Sequence, residues 1–205
     1  EQEDPATIAG FIFEPITGAA GGCLVASDEY WRTVNAICKE HDILLIADEV
    51  MTGFGRTGKT WGHEHFPVEP DVIYGGKGLG GGYVPMGMVA TTGRVADALS
   101  AADSPFMFFT FTGVDAMCAG AEKVLEILER EQLVDRSATM GEVLGRRLAE
   151  ELGDHPNVFD IRGKGLFRGV ELVADRTEGG TPFAPATKFA MQVTTECLER
   201  GMWIY

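Results

Sequence analysis

The chain has 205 residues, 45% of them hydrophobic and 23% charged, which excludes the low-hydrophobicity composition of a disordered segment. Its 17 basic against 31 acidic side chains give a net charge of −14, and the acids are scattered, not gathered in a tail. Nucleic acid is excluded as an expected partner, because a phosphate backbone needs a basic stripe and only the pair Arg146-Arg147 approaches one.

In chain order, residues 7–16 read as a buried strand, followed by a Gly/Ala-rich turn through Gly22. Ser27 is placed as an N-cap with Asp28 and Glu29 in the first helical turn, and Tyr30, Val34, Ile37, Cys38 and His41 follow at helical spacing. Leu44 to Val50 is an apolar run interrupted by Asp48-Glu49, which suits an interior strand of a parallel sheet and completes a β-α-β unit. Pro70 to Tyr74 reads as a third strand running into the glycine-rich Gly75 to Gly82, and Met86 to Thr92 as a fourth. Two helices follow, one through Met117, Ala121, Val124, Leu125 and Leu128, the other through Leu133, Met140, Leu144, Leu148 and Leu152. Strands over 158–162 and 166–173 flank Gly163-Lys-Gly165, Pro185 is expected to open a helix that ends at Gly201, and Met202 to Tyr205 to begin another strand.

Cys23, Cys38, Cys118 and Cys197 form no C-x-x-C pair and read as reduced thiols. With no basic, apolar leader at the N-terminus and no apolar run near the ~18–20 residues of a membrane span, a cytoplasmic compartment and no membrane partner are expected. His63-Glu64-His65 offers two histidines at i and i+2 on a short connection, a spacing read as solvated, and no metal is expected.

Three patterns compete for the chemistry. Gly53 to Thr60 satisfies the phosphate-loop pattern G-x-x-x-x-G-K-S/T, but Pro67 and Pro70 follow so soon that no helix can open behind it. The apolar strand ending in Asp-Glu also precedes that loop, whereas in such NTPases it comes later. Gly76, Gly78 and Gly81 match a dinucleotide fingerprint that should open a helix, and a strand follows instead. The third pattern pairs Asp48 with Lys77. Pyridoxal phosphate (PLP) needs a lysine amine to form a Schiff base and a carboxylate to keep the pyridine nitrogen protonated. Asp48 and Lys77 stand at or just past the carboxyl ends of predicted parallel strands, where ligand crevices of α/β sheets lie. The plain alternatives are a surface lysine and a turn acid, which leave the glycine run around Lys77 unexplained.

The segments Leu45-Ile-Ala-Asp-Glu-Val-Met-Thr-Gly-Phe-Gly-Arg-Thr-Gly58 and Pro70-Asp-Val-Ile-Tyr-Gly-Gly-Lys-Gly-Leu-Gly-Gly-Gly-Tyr83 closely resemble class III PLP-dependent aminotransferases. The resemblance extends from Phe13-Glu-Pro15 to Gly169-Val-Glu-Leu172. It implies an α/β fold of fold type I: a mostly parallel, seven-stranded sheet with flanking helices, plus a smaller α+β domain. Residues 1–130 would then be the carboxyl-terminal half of the large cofactor domain, 131–157 a linking helix, and 158–205 part of the small domain. By the same resemblance Lys77 is the Schiff-base lysine and proton shuttle, Asp48 the pyridinium partner and Val50 the residue packed on the ring. Thr110 would reach the cofactor phosphate of the neighbouring subunit of a homodimer. Glu14 is similar to a glutamate that pairs with a substrate-binding arginine in some members; an ordinary strand-end acid before Pro15 is the equal alternative.

Met51 replaces a glutamine that some members use toward the cofactor's phenolic oxygen, which shifts the expected donor toward an amine or ω-amino acid, with pyruvate as the keto acid. Val114-Asp115 replaces the family's usual Asn-Pro. An aminomutase would use the same residues, and a P-loop nucleotide binder is the alternative from another class. Since the family is about twice this length, the chain alone is expected to have an incomplete site, with apolar sheet edges around Phe11 to Phe13 and Leu44 to Ile46 uncovered.

Overall fold

A computed structural model describes residues 3–102, 109–177 and 179–205. Strand β1 (Gly10–Phe13) stops where Glu14-Pro15 interrupts it, since proline has no N–H for a ladder, so the predicted strand over 7–16 is shorter than expected. Two short strands, β2 (Ile16–Thr17) and β3 (Leu24–Val25), form an antiparallel ribbon around the Gly/Ala turn. Helix α1 (Asp28–Glu40) begins as expected, with Ser27 Oγ accepting the Tyr30 N–H at 3.2 Å and two acids in the first turn. It leads into β4 (Leu44–Asp48), which pairs in parallel with β1.

Strand β5 (Val72–Gly75) pairs in parallel with β4, and β6 (Met88–Thr91) pairs antiparallel with β5, giving the order β1-β4-β5-β6. The chain is therefore α/β, with three of these four strands parallel. A helix absent from the sequence reading, α2 (Gly93–Ala101), follows directly. Helices α3 (Asp115–Arg130) and α4 (Leu133–Leu152) lie where periodicity placed them. In place of the family's Asn-Pro, Val114 is the N-cap and Asp115 supplies an acid to the first turn of α3, a favourable charge for that end of a helix.

The hairpin β7 (Val158–Lys164) and β8 (Phe167–Leu172) forms a separate antiparallel pair. Its turn is clamped by Arg168, whose guanidinium donates to the carbonyls of Gly165, Gly163 and Gly141 at 2.9, 3.1 and 3.0 Å. Gly165, at φ +54°, lies so close to the 53–60 loop that a Cβ there would sit 2.2 Å from the Thr57 carbonyl carbon. Two expectations near the end of the chain are corrected. Pro185 opens only a 3₁₀ turn, Pro185–Thr187; Lys188 then turns left-handed at φ +48°, and helix α5 runs over Phe189–Glu199. Met202 to Tyr205 form no strand: the Met202 N–H returns to the Cys197 carbonyl at 2.8 Å, and no described strand lies alongside to pair with them.

The sheet has two unlike faces. Phe11 and Phe13 of β1, Leu45 and Ala47 of β4 and Ile73 of β5 pack with Trp31, Val34 and Cys38 of α1, with Trp31 wedged between the rings of Phe13 (4.8 Å) and Phe66 (5.6 Å). The alternate residues point the other way. There Ile12 is 61% exposed and Val89 69%, while Ile46 and Val72 are half-buried. Of the edge expected around Phe11 to Phe13, β1 is the outer strand and Ile12 is open, but Phe13 is buried against Trp31. The one expected at Leu44 to Ile46 is not found, because β4 is an interior strand and Leu45 is only 1% exposed.

Candidate active site

Parallel pairing sets β1, β4 and β5 side by side with their carboxyl ends together. Register pairs Phe13 with Ala47 and Asp48 with Tyr74, so Glu14, Asp48 and Tyr74 follow one another across three adjacent strand ends, and Lys77 comes three residues beyond Tyr74. Of the sequence-predicted residues, Glu14, Asp48, Val50 and Lys77 thus gather at one end of the sheet. Thr110 does not join them: it is exposed in a turn over Phe109 to Gly113, closed by Phe109 N–H to Thr112 Oγ1 at 3.1 Å, and among the described residues it makes no hydrogen bond to the other four.

Asp48 is half-buried, and its Oδ1 accepts the Val50 N–H at 3.0 Å. Among the described residues it enters no ion pair. Its surroundings are instead electronegative. Burial, then the Asp48 carboxylate, then Glu14 together push the Tyr74 phenol up to about 12. A half-buried carboxylate with no cation of its own, in such a field, is arranged to receive a positively charged N–H donor. A protonated pyridine nitrogen fits that description. Glu14 is partly engaged already, its Oε2 accepting the Gly18 N–H at 2.8 Å.

Lys77 is exposed and begins the 3₁₀ turn Lys77–Gly80 with φ +40°. A left-handed lysine costs on the order of 1–3 kcal/mol and persists only where its surroundings enforce it. Here they do. Leu79 is buried with Phe54 and with Ala121 of α3, backed by Val84, Met86 and Leu128, so the turn is seated on α3 while the lysine side chain projects outward.

Glu49, the next residue after Asp48, was given no role from sequence and is, among the described residues, the most completely buried charge, with 0% side-chain exposure. Its Oε2 accepts Thr52 Oγ1 at 2.5 Å and Gly62 N–H at 2.8 Å; its Oε1 accepts His63 N–H at 2.8 Å and lies 2.8 Å from His63 Nδ1. Burial pushes this carboxyl up, and the hydrogen bonds from His63, Thr52 and Gly62 outweigh it, leaving it below the usual carboxylate range. The hub fastens the 50–66 loop to the end of β4. It also corrects the solvated reading of His63 and His65, since both are half-buried and His65 Nε2 lies 3.1 Å from the Thr57 carbonyl. Among the described residues no cluster of three or more potential ligands could hold a metal ion.

The phosphate-loop pattern at Gly53 to Thr60 is a turn that opens no α-helix; a 3₁₀ turn, Gly62–His65, follows it. The loop packs on α4, with Ser137 Oγ donating to the Arg56 carbonyl at 3.1 Å. A concavity lined by Asp42, Asp71, Thr92 and Arg94 lies at the opposite, amino end of the strands, and its charges are paired: Arg94 bonds Asp42 at 2.8 Å and Asp71 at 2.9 Å.

Lys77 and Asp48 stand at neighbouring strand ends of a mostly parallel α/β sheet, and comparison with known proteins makes the family specific. The sequence profile of class-III aminotransferases matches residues 1–205, and the chain belongs to that family. It is 43% identical over 202 residues to the uncharacterized aminotransferase YhxA of Bacillus subtilis (strain 168), covering 97% of this chain and 44% of that protein. It is 40% identical over 192 residues to taurine–pyruvate aminotransferase of Bilophila wadsworthia, covering 91% of this chain and 42% of that one. Among solved structures, an (S)-enantioselective omega-transaminase from Thermomicrobium roseum superposes with a TM-score of 0.91 at 40% identity, over 97% of this chain and 44% of that chain. An amine transaminase from an uncultivated Pseudomonas species, solved in its PLP-bound form, gives 0.90 at 35% identity, over 97% and 45%. The chain thus spans less than half the length of the relatives it matches.

Proposed function

We propose that the protein is a PLP-dependent aminotransferase that moves an amino group from an amine or ω-amino acid to a keto acid such as pyruvate. When bound, PLP supplies an electrophilic carbon for the amino nitrogen and a ring that draws electrons from the carbon bearing it. Lys77 Nζ is the amine that would hold the cofactor through its aldehyde carbon and would serve as the group that accepts and returns a proton. Asp48 holds the ring nitrogen protonated through its carboxylate, with Oδ1 already steadied by Val50 N–H. Val50 would pack on the ring face. Thr110 donates to the phosphate across the interface of a homodimer, a role consistent with its exposure and with its lack of hydrogen bonds to the site on its own chain.

One observation carries the reading: a half-buried carboxylate on β4, in no ion pair among the described residues, beside the strand end from which a strained lysine projects. The amine and pyruvate specificity is supported by relatives named taurine–pyruvate aminotransferase and omega-transaminase. An intramolecular aminomutase would need the same groups and has no such support. The P-loop reading loses its ground because its loop opens no α-helix at which to hold phosphates. Cys23 and Cys38 are buried with their thiols pushed up by burial, and all four cysteines are free. No described helix is long and apolar enough to cross a membrane.

The test is borohydride reduction of the full-length protein with PLP, followed by peptide mapping. A phosphopyridoxyl group on Lys77 is expected. Its appearance on Lys59, or on no lysine, refutes the assignment.

A further inference from the structure

We propose that Tyr74 is a positioning residue for the site: its phenol donates a hydrogen bond to the Asp48 carboxylate and fixes the orientation in which that carboxylate meets the cofactor's ring nitrogen. This rests on the PLP reading above.

Tyr74 and Asp48 are register partners on adjacent parallel strands, so their side chains leave the same face of the sheet with backbones about 4.8 Å apart. The pairing is pinned just beyond it, where Glu49 N–H donates to the Tyr74 carbonyl at 2.9 Å. Glu49 is itself immobilised by Thr52, Gly62 and His63, so the end of β4 cannot slide relative to β5. Asp48 Oδ1 is taken by the Val50 N–H, which leaves the rest of the carboxylate, with several acceptor sites, to share between the phenol and the cofactor. The neighbour on the other side, Glu14, is a carboxylate and cannot donate. Its Oε2 is turned to Gly18. Of the two residues that register sets on either side of Asp48, Tyr74 is therefore the one that can donate. With its phenol pushed up to about 12 by burial, Asp48 and Glu14, it keeps its proton at any working pH and remains a donor. A purely structural role, filling space against its antiparallel partner Val89, would need the ring and not the hydroxyl.

The experiment compares Tyr74→Phe, Asp48→Asn and the double variant in the full-length protein. In the cofactor-free protein, the tyrosine ¹³Cζ resonance assigned by its loss in Tyr74→Phe, or in Tyr74→Met if the first variant does not fold, should move when Asp48 becomes Asn. With PLP bound and L-alanine as amino donor, single-turnover rates should fall roughly 10-fold for Tyr74→Phe, in line with removing a hydrogen bond to a charged group. The same change in the Asp48→Asn background should cost less than about 2-fold, because a residue acting through Asp48 has nothing left to act through. An unmoved ¹³Cζ resonance, or an equal loss in both backgrounds, overturns the proposal. Borohydride labelling separates the two levels: with Lys77 labelled, those outcomes refute the role of Tyr74 alone, whereas absence of that label brings down the PLP reading and this inference with it.

Discussion

Replacing Glu49 should damage the protein in a graded and calculable way, because four donors converge on one fully buried carboxylate. In Glu49→Gln the amide oxygen can keep one pair of donors while the NH₂ faces the other pair. Thr52 can turn its hydroxyl to accept, and His63 can change tautomer, but either orientation leaves one backbone N–H, of Gly62 or of His63, against another donor. Leaving one buried donor unsatisfied costs about 1–3 kcal/mol. In Glu49→Ala both backbone N–H groups lose their acceptor and a cavity opens, so the expected loss is about 4 kcal/mol. The folded carboxyl lies below its ordinary value, so the unfolded chain binds a proton more readily. Glu49's contribution is therefore present above the unfolded Glu pKa of about 4.3, and it is lost as pH falls through the lower folded value. Urea titrations of the full-length protein at pH 7 and at progressively lower pH, with amide hydrogen exchange at Gly62 and His63, give the measurement. The order expected is wild type, then Gln, then Ala, with the gap between wild type and Gln closing in acid. An Ala variant within about 1 kcal/mol of wild type at pH 7 would refute the reasoning.

Two further outcomes are expected. Asp48→Asn should retain PLP but slow the proton-transfer half-reaction on the order of 10²-fold or more, since a neutral amide cannot hold the ring nitrogen protonated; unchanged single-turnover rates would remove Asp48 from the site. Gly165→Ala should destabilise by about 3 kcal/mol or more, because the added carbon would stand 2.2 Å from the Thr57 backbone and φ is +54°; an unshifted thermal transition would show that the hairpin does not press on the 53–60 loop.

The elements that sequence made legible are those whose signals are local. The N-cap at Ser27, the apolar run ending at Asp48 and the long periodic helices each announce themselves within a few residues, and each lies where expected. Helix α2 escaped because its nine residues, Gly93–Ala101, bury no residue among them and carry no side-chain cap, so neither a core stripe nor a cap marked it. At the other end, Met202 to Tyr205 has the composition of a strand, but a strand exists only through a partner, and composition says nothing about one. Pro185 gave a correct start signal for the wrong kind of helix: the chain makes one 3₁₀ turn, Lys188 goes left-handed at φ +48°, a conformation its residue type does not announce, and α5 begins only after it.

The site divides along the same line. Asp48 and Lys77 could be nominated from sequence because their chemistry is rare in that context and their spacing to strand ends is countable along the chain; what the fold shows is that both stand at one end of the sheet. Tyr74 and Glu49 were not nominated, although each is a direct neighbour of that motif. Which residue of β5 stands beside Asp48 depends on register, and register is set by the whole ladder from Ile46 opposite Val72 to Asp48 opposite Tyr74. Glu49 points to the other face from Asp48, as strand alternation requires, and it acquires its meaning only when the 50–66 loop folds back to bring Gly62 and His63 to it. In sequence the adjacent acids look like one feature. In the fold they part: among the described residues Asp48 enters no ion pair and accepts the Val50 N–H, while both oxygens of Glu49 are taken up holding the loop that follows β4.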